Sequence, residues 1–108
     1  MTIAELIRVY ERNLRALGAH FVEVSMEDKD HIRIIRVLIQ TAEEFLKEKG
    51  ETNDALTQAA STLTDFARTL YIKSCLAANP EISDKEDFAE ESGEMFDYVY
   101  QHGSYPDE

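Results

Sequence analysis

The residues able to do chemistry in this chain are few and widely spaced. Asp28 and His31 stand three apart, as do His20 and Glu23. On a helix that spacing puts two side chains on one face, as a metal site would need. A di-iron bundle needs two Glu-x-x-His pairs and a further inward Glu from each of two other helices. The third apolar segment supplies no inward carboxylate, since Asp65 falls on its polar side, so we expect no metal and no cofactor. His31 instead reads as a partly buried, hydrogen-bonded histidine near a helix start. Cys75 is the single cysteine. It has no histidine close in sequence, and no Gly-x-Ser-x-Gly turn or glycine-rich phosphate loop exists. A buried, inert thiol is the expected state.

One further pair could move protons. Arg15-Ala16-Leu17-Gly18-Ala19-His20 carries an arginine and a histidine separated by four residues. Over these six residues the chain resembles HEPN-type helical ribonucleases. The resemblance implies that Arg15 would stabilise charge and His20 would transfer protons during RNA cleavage. Ala16 stands where that family usually has a polar residue, and Gly18 is expected to end the helix between the two. The main expectation is therefore no catalytic residue, with His20 in a loop after a helix cap. An Arg15/His20 ribonuclease is the alternative.

Four amphipathic segments would position these groups. The first begins at Thr2, with Glu5 three residues later in capping-box spacing. Ile3, Leu6, Ile7, Tyr10, Leu14 and Leu17 follow at helical period, and Gly18 is read as the cap, giving a helix over about 3–17. The second, about 26–49, starts near Ser25 with Asp28 and closes at Gly50. Its apolar arc of Ile32, Ile35, Leu38, Ile39, Ala42, Phe45 and Leu46 is widened by Ile34 and Val37. An arc that broad implies neighbours on more than one side. The third, about 54–78, places Leu56, Ala59, Ala60, Leu63, Phe66, Ala67, Leu70 and Tyr71 on one face and stops before Asn79-Pro80. The fourth, about 84–101, is capped by Ser83 with Glu86, and Phe88, Ala89, Ser92, Met95, Phe96 and Val99 share a face. The fold class is all-α: one four-helix bundle domain over 1–102 with a frayed, flexible tail at 103–108. The piece 19–25, with Phe21, Val22 and Val24, could cap the bundle end, extend a helix or form an exposed edge.

Charge is the most uneven property of the chain. Of the net −11, residues 1–80 carry −2 (10 basic, 12 acidic), and residues 81–108 carry −9 (one basic, 10 acidic). On the fourth helix Asp87, Glu90, Glu94 and Asp97 fall opposite the apolar face, flanked by Glu86 and Glu91, with Tyr98 beside them. Like charges three and four apart each cost a few tenths of a kcal/mol. The first two helices carry basic stripes: Arg8, Arg12 and Arg15, then Lys29, Arg33 and Arg36. The acids could be a solvated face, or could pair with these stripes.

They could also dock a basic surface on another protein, with Tyr98 at the edge of the contact. That is the function expected here: a non-enzymatic binding module such as an inhibitor, immunity-type protein, adaptor or small chaperone. A narrower alternative is an acidic mimic of nucleic acid. Direct binding to nucleic acid or anionic lipid is not expected through so acidic a segment. No run approaches the roughly 20 apolar residues of a membrane span, and one unpaired cysteine suits the cytoplasm. The uncharged Thr/Ser side of the third helix is a candidate homodimer surface.

Overall fold

A computed structural model describes residues 2–103. It contains α1 (Ile3–Val24), α2 (Asp28–Glu48), α3 (Asn53–Ala78) and α4 (Lys85–His102), with no strand among the described residues. The all-α bundle is as expected. The frayed tail was expected to begin at Gly103, which caps α4 here; its remainder, residues 104–108, lies outside the described part of the chain.

The caps explain most boundaries. Thr2 Oγ1 accepts from the Glu5 N–H at 3.2 Å, and Thr52 Oγ1 accepts from the Ala55 N–H at 3.2 Å. Each satisfies one donor that the first helical turn leaves open. At the end of α2 the Gly50 N–H reaches Lys47 O and the Glu51 N–H reaches Leu46 O. That is a Schellman motif, and Gly50 takes the left-handed conformation it needs, φ 81°.

Three boundaries differ from expectation. Gly18 does not cap α1; the helix runs on to Val24. The apolar stripe continues through Phe21, seven residues after Leu14, and burying that ring outweighs the penalty of an interior glycine. Gly18 is buried instead where α1 approaches α3, and a Cβ there would stand 2.9 Å from Ser74 Oγ. Secondly, Ser25 does not cap α2. It closes α1 in the left-handed conformation, φ 53°, with the Met26 N–H bonded to Phe21 O at 3.1 Å. Glu27 then precedes α2 with no side-chain cap bond. Thirdly, α4 is capped by Asp84, whose Oδ1 accepts from the Asp87 N–H at 3.1 Å, and not by Ser83.

Helices α2 and α3 each pack on all three other helices, whereas the backbones of α1 and α4 do not approach each other. The main core gathers Leu14, Phe21, Ile32, Ile35, Ile39, Leu63, Ala67, Tyr71, Phe96 and Val99; Leu6, Leu46 and Ala59 form a smaller cluster nearby. The broad arc of α2 is not wholly covered: Ile34, Val37 and Phe45 remain exposed. The Gly18 approach leaves no room for a branched side chain. Gly18→Val is therefore expected to destabilise the fold by about 1–3 kcal/mol, read as a lower urea midpoint with unchanged slope.

Candidate functional site

The acidic face is carried by α4. Its apolar side packs inward through the buried Ser92, Gly93, Phe96 and Val99. Phe88, Met95 and Tyr100, partly buried, flank that strip. The 3.6-residue period then sends Asp87, Glu90, Glu91, Glu94 and Asp97 outward, and all five are exposed. Among the described residues, none of Glu90, Glu91 and Glu94 has an ion-pair partner. Tyr98 is exposed to 37% and its ring lies 4.4 Å from that of His102. Met95 and Tyr98 form the apolar floor of a shallow groove with Glu91 and Glu94 at its edge.

Asp97 differs from the other four. Arg68 of α3 grips it with two bonds, Nε to Oδ1 at 3.0 Å and Nη2 to Oδ2 at 3.2 Å. This fork geometry fixes orientation more than it adds stability, since both side chains are largely solvated. Gly93 makes the grip possible. A Cβ at that position would lie 2.5 Å from Arg68 Nη2. Gly93→Ala would gain up to ~1 kcal/mol of helix propensity and displace a pair worth ~0–1 kcal/mol. We expect an unchanged or slightly raised Tm and a weaker dependence of Tm on salt, measured by thermal melts at low and high ionic strength.

The basic stripes do not neutralise the α4 ridge. Arg33 Nε donates to Gly103 O at 2.9 Å, and the Arg36 guanidinium also lies against Gly103. Both thus serve the C-terminus of α4, where a helix favours cations. Arg33 is also 3.8 Å from Asp30, and Lys29 is 3.8 Å from Glu27. On α1, Arg15 lies over the Phe66 ring, 5.4 Å from its centroid.

A second polar group lies inside the bundle. His31 is 1% exposed, and its Nδ1 has no hydrogen-bond partner. The sequence suggested a partly buried, hydrogen-bonded imidazole. The observed ring is fully enclosed, 4.4 Å from Phe21 and 5.5 Å from Tyr71, and its Nδ1 is unsatisfied. Burial lowers its pKa to about 4. The neighbouring Cys75 thiol is raised to about 11, chiefly by burial. A thiol so held is not a nucleophile at neutral pH. Asp28 is raised by burial and partly held down by the Tyr71 hydroxyl. Among the described residues, no three of His, Cys, Asp and Glu converge as a metal site would require.

Arg15 and His20 both belong to α1 because Gly18 does not end it. Five residues of helix turn the chain by about 140° past a full turn. The Arg15 side chain faces α3, while His20 stands exposed on another flank. The structure groups the five α4 acids and Tyr98 along one outward face and leaves Arg15 and His20 apart. Sequence reasoning did not find Arg68 as the partner of Asp97, nor Met95 as part of the groove. No protein-family model matches the chain, and comparisons with curated proteins and with solved structures return no match. No helix among the described residues is long and apolar enough to cross a membrane.

Proposed function

We propose that the protein is a non-enzymatic binding module that docks a basic surface of another protein through α4. One observation carries the proposal. Glu90, Glu91 and Glu94 stand exposed and unpaired beside the Met95–Tyr98 floor. Carboxylates so placed repel one another and add nothing to the core, so their natural counterpart is an external cation. Tyr and Met are residue types enriched at protein interfaces, where they supply contact area. Asp87 extends the ridge, and Asp97, anchored by Arg68, marks its inner border. A cytoplasmic setting belongs to the same proposal, since Cys75 is a lone, buried thiol.

Glu90→Lys with Glu94→Lys is the decisive variant. Removing like-charge repulsion is expected to leave Tm unchanged or raise it. Capture of a salt-sensitive partner from the native host is expected to be lost. Glu44→Lys with Glu48→Lys, a charge reversal on α2, is the control and should retain capture. Equal capture by both variants would refute docking through α4. Unfolding of the α4 variant would make its carboxylates structural.

A further inference from the structure

Beside the acidic ridge lies a second, smaller depression. Asp28 of α2, Tyr71 of α3 and Phe88, Glu91, Ser92 and Met95 of α4 line a crevice of about 160 Å³. Glu91 and Met95 also border the Tyr98 groove, so the two depressions adjoin along α4. Residues 88, 91, 92 and 95 are three and four apart and share one side of the helix. Phe88 and Met95 make that side apolar. Ser92, only 8% exposed, places a hydroxyl where packing alone favours an aliphatic side chain. The Tyr71 hydroxyl donates to the Asp28 carboxylate, and the Ser92 hydroxyl bonds the Cys75 sulfur. With their protons so directed, both oxygens offer lone pairs. Two carboxylates and two hydroxyl oxygens therefore border the crevice, and no Lys or Arg is among its lining residues. Burial raises the Asp28 carboxyl, and the Tyr71 bond only partly offsets this. A cation beside it would supply the rest.

We infer, on the footing of the α4 docking proposed above, that a lysine side chain of the docked protein enters this crevice. Donor count selects lysine first. An ammonium brings three donors and no acceptor, the complement of a space bordered by carboxylates and hydroxyl oxygens. Shape agrees. The methylene stem of a lysine packs on apolar surface while its head reaches polar groups, and Phe88 and Met95 provide that surface. Stem and nitrogen together are five non-hydrogen atoms. At about the ~30 Å³ that a water occupies in the liquid, five such atoms match the volume of the crevice. Arginine fits less well. Its larger planar fork needs both oxygens of a carboxylate, and Asp28 already accepts from Tyr71. Residues 104–108 include no Lys or Arg, so the chain's own tail does not supply the guest. Nucleic acid and anionic lipid carry the wrong sign. An inserted lysine would anchor a contact that the shallow Tyr98 groove alone holds weakly, since anchors seated in pockets carry much of an interface's affinity.

The probe is n-butylammonium chloride, the lysine head and stem alone, titrated into the isotope-labelled full chain and followed by amide NMR. Saturable shifts at Asp28, Glu91 and Ser92 are expected in the millimolar range. At matched ionic strength n-butanol should give none, and n-butylguanidinium should bind more weakly. Asp28→Asn is expected to weaken butylammonium by about tenfold or more with helicity unchanged. Ser92→Leu, which fills the crevice without altering charge, should abolish the shifts. In capture from the native host, Asp28→Asn should lower the yield, as should acetylation of the host's lysines. The docking face and the lysine socket can fail separately. Absent shifts, shifts that Asp28→Asn leaves unchanged, or equal shifts from n-butanol or n-butylguanidinium overturn the socket whatever capture shows. Full capture by Asp28→Asn, with capture lost in the α4 charge reversal, overturns the socket and leaves docking in place. Capture that survives the α4 charge reversal refutes the docking face, and with it the source of the lysine.

Discussion

Acidifying the protein from pH 6.5 to 4 is expected to remove on the order of 3 kcal/mol of stability through His31 alone. The sign follows from burial. The unfolded chain protonates His31 near 6.5, and the folded chain only near 4. Between those values the unfolded state binds more protons, so stability falls as pH falls and is fully restored above the unfolded pKa. Phe21 and Tyr71 offer ring faces, and Nδ1, which would become a donor, has no acceptor. Two other effects run the opposite way. Asp28, raised by burial, takes up its proton in the folded state first, and the net negative charge relaxes on acidification. Subtracting a variant isolates the histidine. His31→Leu is expected to lose the acid slope across this window and, at pH 7, to be about 1–2 kcal/mol more stable, because no orphaned nitrogen remains. Urea unfolding of both proteins from pH 7.5 to 4 checks this. Parallel profiles would mean that His31 is solvated or partnered in solution.

The largest single loss is expected at Tyr71. This residue of α3 is 1% exposed and its ring is 6.3 Å from Phe21 of α1, 5.5 Å from His31 of α2 and 5.6 Å from Phe96 of α4. One side chain therefore ties α3 to every other helix. Tyr71→Ala is expected to cost about 3–5 kcal/mol, a large part of the ~5–15 kcal/mol that holds a domain of this size. Tyr71→Phe keeps the ring contacts and removes only the hydroxyl facing Asp28, so its cost should be about 1 kcal/mol. The same substitution removes the influence that holds the Asp28 carboxyl down, and its pKa should rise further. Denaturant midpoints of the two variants test the ranking. A similar loss in both would place the contribution in the hydroxyl and not in the ring.

The sequence declared its helices through period and caps. Thr2 and Asn79-Pro80 mark ends that depend on the local chain alone, and these stand where expected. Gly18 and Ser25 misled for a physical reason. A glycine after an apolar run serves equally as a helix cap and as the point where two helices meet, and only the partner helix distinguishes them. Phe21 held the missing signal, since it continues the spacing of Leu14 and Leu17 beyond the glycine. The outward acids of α4 follow from the same period. Their division into free and anchored members does not, because the Arg68–Asp97 grip joins residues 29 apart across Gly93. The central role of Tyr71 was likewise hidden, because it depends on which helices surround α3.

Carboxyl footprinting of the captured complex tests the α4 account most directly. Carbodiimide labelling followed by mass spectrometry would compare the free protein with the partner-bound one. Labelling of Glu90, Glu91 and Glu94 is expected to fall sharply on binding, while Glu44 and Glu48 of α2 label as before. Unprotected α4 carboxylates in a complex that protects another face would contradict the account.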